Sequence, residues 1–445
     1  MSMNRITVDD ALFFRAHQLF GSWLANQVAW RFDEQLDRNL VERFHAHLAV
    51  GFTARRIVTT RIPFARAWWA PANIAFPLDW QTETIPESGV VDWLTRQGDV
   101  DFDPLTGRMW RLSVASVEGG GCVMAIACSH VAVDGGGGVL AVNDALTRLG
   151  LGAEPSRAES AGRLVGDTPK SGLLQQNLVD SLRQLSAVTI GVRNAVRARA
   201  VREPARPPRP VEPRLSLPER VRPATLVVEV PLAQWRSTAE AHSGTVNGLQ
   251  LALAVGILGR GGRVLDGDVV PVIVPWSTRT GPDDPRGNAT TGVNVGVPYR
   301  TGELVDLQEM RSAIKTAIAA RENPLTVPPS SHLLPLMVMM PDFVARRGAK
   351  FPIVLGTSLR DGGDAVATVG GMRARSVVMR ANVQPAATEF LRRTEFGMTI
   401  SSCYYGGNVT FGMTAGDPDR FPTRAVLRAC VEDEFTAWGL KPTFW

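Results

Sequence analysis

The chain is poor in the residues that build several common kinds of site. Its 445 residues include four cysteines, Cys122, Cys128, Cys403 and Cys430. Their spacing matches no metal-binding pattern, and three sit in or beside apolar segments, so they read as reduced, packed thiols of a cytosolic protein. The histidines are few and scattered; His45 and His47 fall in a helical pattern, where they diverge and cannot share a metal. No apolar run approaches the roughly 18 residues that span a bilayer, the longest candidates (246–258 and 333–340) being short or interrupted. The first ten residues are polar and acidic, without the basic flank and apolar core of a secretory signal. The glycine run 135–138 lacks the lysine and hydroxyl residue of a phosphate loop, and no GxSxG surrounds Ser129. These absences argue against a metal site, a membrane span, a nucleotide loop and a serine nucleophile, and no cofactor is expected.

What is present is a large apolar content and a concentrated charge. With 44% hydrophobic residues, the chain can bury a substantial core, divided by its length into two or three units. Nine Arg face three Glu between residues 193 and 222, a net +6 that exceeds the whole-chain value of +5. The same stretch holds Pro204, Pro207, Pro208, Pro210, Pro213 and Pro218, which exclude a helix or central strand and make it an extended linker. A solvated tether is the plainer reading; a basic surface for anionic lipid, a carrier protein or coenzyme A phosphates is the functional one. Nucleic acid is excluded because no recognition motif accompanies the arginines.

The most informative segment is Ser129-His130-Val131-Ala132-Val133-Asp134-Gly135, which carries HxxxDG. Two alternating apolar runs (109–117 and 121–128) predict strands, and His130 follows the second where the chain turns into the glycine run. By spacing alone, His130 can be a satisfied core histidine and Asp134 a helix N-cap. The alternative is that neutral His130 serves as a general base, imidazole having the unperturbed pKa nearest the working pH. A base alone does not name a reaction.

The flanking sequence does more. Phe102 to Leu112 followed by HxxxDG resembles the superfamily of chloramphenicol acetyltransferase, nonribosomal peptide condensation domains, polyketide-associated acyltransferases and the wax ester synthase/diacylglycerol acyltransferases. The opening Ile6 to Phe14 is similar to the start of the wax ester synthase type. Thr245-Val246-Asn247-Gly248 resembles that family's TVND helix, Val274 to Arg279 its VPVSLR strand, and Ser402 to Thr414 its SYNGRLTFGLT hairpin. The resemblance implies an α/β fold of two chloramphenicol-acetyltransferase-like lobes forming a V, with a central tunnel meeting at His130. It implies that His130 is the catalytic base and that Asp134 supports the loop ahead of Gly135 through an ion pair with an arginine, for which Arg279 is best placed. Asn247 matches the asparagine of the ND motif. Three positions depart from the pattern: Ser129 replaces the first histidine of HHxxxDG, Gly248 replaces the ND aspartate, and Thr357 to Gly362 stands where triacylglycerol-forming members carry SNVPGP.

The expected activity is therefore O-acyl transfer from an acyl thioester, acyl-CoA or acyl carrier protein, to a hydroxyl of a lipid, sugar or polyketide. Amide formation with an amine acceptor uses the same base. A non-catalytic acyl-ligand-binding or scaffold member of the same fold is the alternative that the departures motivate. The expected organisation is an N-terminal lobe (1–165), a helical and Arg/Pro-rich linker (166–223) and a C-terminal lobe (224–445). The linker helix, 173–196, carries a leucine stripe that reads as a packing face. A cytoplasmic monomer is expected, with contact to a membrane surface through the basic linker as a further option.

Overall fold

A computed structural model describes residues 4–21, 24–72, 74–155, 173–201, 207, 214–281, 284, 286–323 and 326–445. The predicted boundary between the first lobe and the linker at 165, and most of the proline-rich stretch, lie outside these residues.

The first lobe is assembled from α1 (Val8–Phe20), β1 (Leu24–Phe32), α2 (Arg38–Val50), β2 (Asp79–Trp80), α3 (Val90–Gln97), β3 (Trp110–Ser116), β4 (Cys122–Ser129) and α4 (Gly135–Gly150). Every residue of β4 is buried, because β1 and β3 flank it in the sheet and helices cover both faces; a strand enclosed in this way loses the in-out alternation of an exposed one. On one face Trp30, Trp110, Leu112 and Met124 pack with Phe44 and Leu48 of α2 and Leu146 of α4. On the other, Ala29, Val123 and Ala125 pack with Val91, Trp93 and Leu94 of α3. The predicted helix after HxxxDG begins at Gly135, so it takes in the glycine run.

A long helix, α5 (Leu173–Arg197), follows. The second lobe contains β5 (Ala224–Pro231), α6 (Val246–Arg260), β6 (Val269–Ser277), β7 (Thr290–Pro298), α7 (Leu307–Ala319), α8 (Leu334–Met339), α9 (Asp342–Gly348), β8 (Val354–Ser358), β9 (Ser376–Val383), β10 (Met398–Tyr405), β11 (Asn408–Ala415), α10 (Arg424–Ala437) and β12 (Thr443–Phe444). Its seven-stranded sheet runs β7-β6-β8-β10-β11-β5-β12. Thr245 caps α6 by accepting from the Gly248 N–H at 3.1 Å. From Gly248 to Leu258 every residue of that helix is buried, as expected of a helix apolar on all sides. It packs on the sheet beside α10, whose Leu427, Val431 and Phe435 share the core with Val228, Ile400 and Phe411.

Strand β9 is the exception to this division. Its place in the chain falls within the C-terminal lobe expected at 224–445, whereas β9 pairs antiparallel with β1 over the whole length of Ser376–Val383, from Leu24 opposite Val383 to Arg31 opposite Ser376. The first sheet is therefore five-stranded, in the order β9-β1-β4-β3-β2. Strand β1 itself was not recognised in the sequence. The two sheets meet at β9, which lies against β11: a Cβ at Gly412 would stand 2.3 Å from Cβ of Arg380. Ion pairs Arg222–Asp99 and Arg424–Asp92 tie the lobes further.

Helix α5 corrects a second expectation. Its leucine stripe does not pack inward: Leu174, Leu178, Leu182 and Leu185 are exposed, while Asn177, Asp180, Gln184, Gly191 and Ala195 are the buried residues. Inward-facing polar groups are held by specific partners, Asn177 Oδ1 accepting from Arg5 at 2.6 Å and Asp180 pairing with Arg66 at 2.8 Å. Hydrophobic periodicity identified the helix correctly and its buried side wrongly, since periodicity fixes the stripe but not what covers it.

Gly412 tests the seam between the sheets. Gly412→Val places a branched side chain where β9 passes, and is expected to lower the unfolding free energy by about 3 kcal/mol in urea denaturation; an unchanged midpoint would mean that the sheets are not in contact there.

Candidate active site

The loop that carries His130 is shaped by main-chain geometry first. At the end of β4 the Ser129 N–H donates to the Met109 carbonyl at 2.7 Å, and the Ser129 carbonyl accepts from the Ala132 N–H at 3.0 Å. The Ser129 hydroxyl is buried and accepts from the Val131 N–H at 3.3 Å. Ser129 thus closes the turn, which is the strand-end role expected of it rather than that of a nucleophile.

Buried side chains then take up each carbonyl of the turn. Asn288 Nδ2 donates to the carbonyls of His130 and Val131 at 3.1 and 3.3 Å. Arg55 Nη2 donates to that of Ala132 at 2.5 Å, and Asn26 Nδ2 to that of Val133 at 2.7 Å. Buried carbonyls left without donors would each cost about 1–3 kcal/mol, so these contacts hold the turn in one conformation. Asn288 is itself fixed, its amide also donating to Asp10 Oδ1 at 2.9 Å. The Asp10 side chain closes a capping box with Thr7 at the start of α1. The opening segment of the chain is tied to the turn by this route.

Asp134 is the best-satisfied group of the site. As N-cap of α4, its Oδ1 accepts from the Gly137 N–H at 2.6 Å and from Arg279 Nη2 at 2.7 Å. Its Oδ2 accepts from the Ala289 N–H at 2.8 Å and the Thr290 hydroxyl at 2.7 Å. Burial alone would push this carboxyl up, but Arg279 and then these hydrogen bonds hold it below the ordinary carboxylate range. Arg279 also donates to the carbonyls of Arg286 and Gly287, both at 2.7 Å. The predicted Asp134–Arg279 pair therefore exists, and it joins the HxxxDG loop of one lobe to the β6–β7 connection of the other.

His130 is half-buried and its ring stacks on Phe13 of α1, with centroids 3.7 Å apart and planes inclined by 19°. Its Nδ1 is closed off from solvent and makes no well-formed hydrogen bond. Burial lowers the imidazole pKa below its ordinary value, against the opposing effects of its own main-chain carbonyl, Asp134, Asn288 and Asp10. The ring is accordingly neutral at physiological pH. One turn earlier on α1, Asp9 is pushed up to about 6, by burial first and then by the nearby Asp10 and Asp134 carboxylates.

The remaining candidates separate. A Cβ on Gly135 would meet the Leu359 side chain at 3.1 Å, close but yielding, whereas one on Gly137 would stand 2.6 Å from the Gly287 carbonyl and 2.8 Å from Arg279. The position in the glycine run that must stay small is thus Gly137. Leu359 belongs to the 357–362 segment that departs from SNVPGP, which the fold brings against the start of α4. Asn247 sits in the first turn of α6, and no hydrogen bond joins it to His130, Asp134 or Arg279 among the described residues. Sequence reasoning missed Asn288, Arg55, Asn26 and Phe13. Only Phe13 had a signal, since it falls inside the opening segment that carried part of the resemblance.

This two-lobed arrangement can be compared with solved structures. A starter condensation domain of rhizomide synthetase in complex with C8-CoA superposes with a TM-score of 0.62 at 12% identity, over 98% of this chain and 94% of that one. The architecture is that of condensation domains. The first condensation domain of the calcium-dependent antibiotic synthetase, in complex with a substrate analogue, gives 0.59 at 14% identity over 98% and 97% of the two chains. The condensation domain of the Monacolin K polyketide synthase gives 0.58 at 12% identity over 99% and 98%. No family model matches the sequence, and no curated protein matches it. The two-lobed α/β fold expected from the sequence is thereby found.

Removing one partner of the buried pair leaves a charge uncompensated, so Arg279→Ala should cost about 3–5 kcal/mol of stability by urea denaturation. The pH dependence has a defined sign. Because the folded carboxyl of Asp134 titrates below its unfolded value, its contribution is complete above the ordinary carboxylate pKa and is lost as pH falls through the depressed one. In Arg279→Ala the carboxyl loses its largest depressing partner, so the part of the acid-induced loss of stability that Asp134 carries should be smaller than in the wild type.

Proposed function

We propose that this chain is an acyltransferase that moves an acyl group from a thioester, acyl-CoA or an acyl carrier protein, to a hydroxyl acceptor with His130 as general base. The observation that carries the reading is the placement of His130, at the end of a buried strand on a turn whose carbonyls are all engaged, its ring stacked on Phe13; burial, which lowers its pKa, favours the neutral imidazole a base requires. With Nδ1 closed off, Nε2 is the nitrogen assigned to the substrate.

The chemistry needs little else from the protein. His130 Nε2 takes the proton of the acceptor O–H as that oxygen attacks the thioester carbonyl, forming the C–O bond and an oxyanion. The intermediate collapses by breaking the C–S bond, and the imidazolium returns the proton to the departing thiolate. The base is regenerated without a covalent acyl-enzyme. Asp134 stays ionised throughout with its four donors; it supports the loop and does not exchange protons. Arg279 holds Asp134, and Gly137 allows Arg279 to approach. Asn247 and Gly135 have supporting roles at most in this reading.

The C8-CoA held by the rhizomide synthetase domain supports a coenzyme A thioester as the first donor to try. An amine acceptor is the second reading, favoured by the rhizomide synthetase condensation domain in complex with C8-CoA and Leu-SNAC, an aminoacyl thioester. It differs only in the nucleophile.

Free-thiol release from acyl-CoA donors of increasing length, in the presence of pooled alcohol, sugar, lipid and amine acceptors, tests the reading. His130→Ala should reduce acceptor-dependent release by roughly 10²–10⁴-fold while leaving donor binding intact. Release that is unchanged in the variant would overturn the assignment of the base. For the wild type, the acid limb of kcat/KM should lie below the ordinary histidine pKa, because burial depresses the group that must be neutral. Asp9 titrates in the same region, so the limb should persist in Asp9→Asn if it belongs to His130.

A further inference from the structure

We propose that the outward face of α5, with the neighbouring α8 and α9, docks on an anionic lipid surface. The inference starts from the inverted burial of α5. Its polar side faces the protein, fixed by the Asp180–Arg66 pair, by Arg5 on Asn177 and by the Ser181 hydroxyl on the Pro63 carbonyl at 2.7 Å. Rotation of the helix to bury its leucines would break all three. Nor can α5 roll elsewhere, since a Cβ at Gly191 would lie 2.3 Å from the His332 carbonyl.

The face left outside is a largely apolar stripe, interrupted by the exposed Thr189. Leu174 is 64% and Leu182 68% exposed, and Leu178, Leu185, Val192 and Val196 continue the line along the 25-residue helix, a length of about 37 Å. Beyond it, Met337 of α8, which packs on α5, and Phe343 of α9, which packs on α1, are also exposed, the latter at 68%. An exposed apolar patch of this extent marks an interaction site.

Charge decides between occupants. The exposed charges of α5 are Arg183, Arg193 and Arg197, and its single acid, Asp180, is buried. On α9, Arg346 and Arg347 extend the same sign, and the one acid of that helix, Asp342, is exposed but paired with Arg15 at 2.6 Å. A second copy docked face to face would bring like charges together, whereas anionic headgroups neutralise them while the apolar residues enter the acyl boundary. A surface wider than a single two-residue seam also fits a lipid interface better than a helix pair. Beside this face, between α1, α5 and α8, lies a cavity of about 360 Å³ lined by Phe14, Phe64, Gln184, Val338 and Met339. On the other side of α1, Phe13 covers His130. The proposal concerns binding alone and does not require the acyl-transfer reading.

Co-sedimentation of the full chain with phosphatidylcholine vesicles, with and without phosphatidylglycerol, tests it, alongside sedimentation velocity without vesicles. The wild type should bind the anionic vesicles, weakly or not at all the neutral ones, and less at high salt. Replacing Leu178, Leu182 and Leu185 by Ser should cut binding roughly tenfold or more, and the pair Arg193→Gln with Arg197→Gln should cut it several-fold, each Arg near the surface contributing about a factor of five. These surface changes should leave the melting temperature in place, and the charge variant provides the test should the serine variant fold poorly. Absence of binding to anionic vesicles, equal binding to neutral ones, or binding unaffected by both variants would overturn the proposal. A dimer that dissociates in the serine variant, without vesicle binding, would overturn it in favour of a second copy.

Discussion

The Asp134 carboxylate is the point on which the two lobes agree. It caps α4, the helix that follows the candidate base, and at the same time accepts from Arg279, Ala289 and Thr290 of the other lobe. A carboxylate buried to this degree is tolerable only because all its donors are present together. Had only the helix cap been made, the group would be half-solvated and the HxxxDG loop would lose its tie to the β6–β7 connection. Its location between them makes the geometry of the candidate site and the closure of the molecule a single structural condition.

Around this clamp, the loop has little freedom. Four successive carbonyls from His130 to Val133 are held by Asn288, Arg55 and Asn26. Those donors come from β1, from the segment preceding β2 and from the β6–β7 connection, so both lobes contribute to one turn. Phe13 from α1 then sets the ring plane of His130. Rigid support of this kind is what a group acting on a bound substrate requires, because small displacements of a reacting group cost large factors in rate. The Gly287 backbone lies so near the turn that a Cβ there would sit 2.0 Å from Arg55 and 2.1 Å from the Ala132 carbonyl; the contact between lobes is made main chain to main chain.

Local sequence carried a good share of this. The strand leading into HxxxDG had clear periodicity, the helix beginning at Val246 and the hairpin turning at Gly406 and Gly407 were implied by the resemblance, and each is present. The Asp134–Arg279 pair was implied by the resemblance, and a carboxylate in an apolar setting gives it a physical reason. Other parts had no local signature. Asn288 is an amide in a loop, and nothing in its neighbours reveals that it spans from Asp10 to His130. Strand β1 mixes Asn26, Gln27 and Arg31 with apolar residues, so alternation did not expose it; these polar side chains answer partners such as the Val133 carbonyl that are distant in sequence. Likewise the stripe on α5 is legible as a stripe, while its orientation depends on Arg66 and Arg5, more than a hundred residues away.

The lending of β9 to the first sheet gives the molecule a history as well as a shape. Strand β1 emerges early during synthesis, yet its partner on one side arrives roughly 350 residues later, an interval of about 20–70 s at common translation rates. Throughout that time the nascent first lobe has an open strand edge beside Trp30 and Val28, of the kind that invites wrong pairing. The N-terminal lobe is thus not an autonomous unit on the ribosome: it is a template awaiting its fifth strand, and its completion waits on the chain that builds its neighbour.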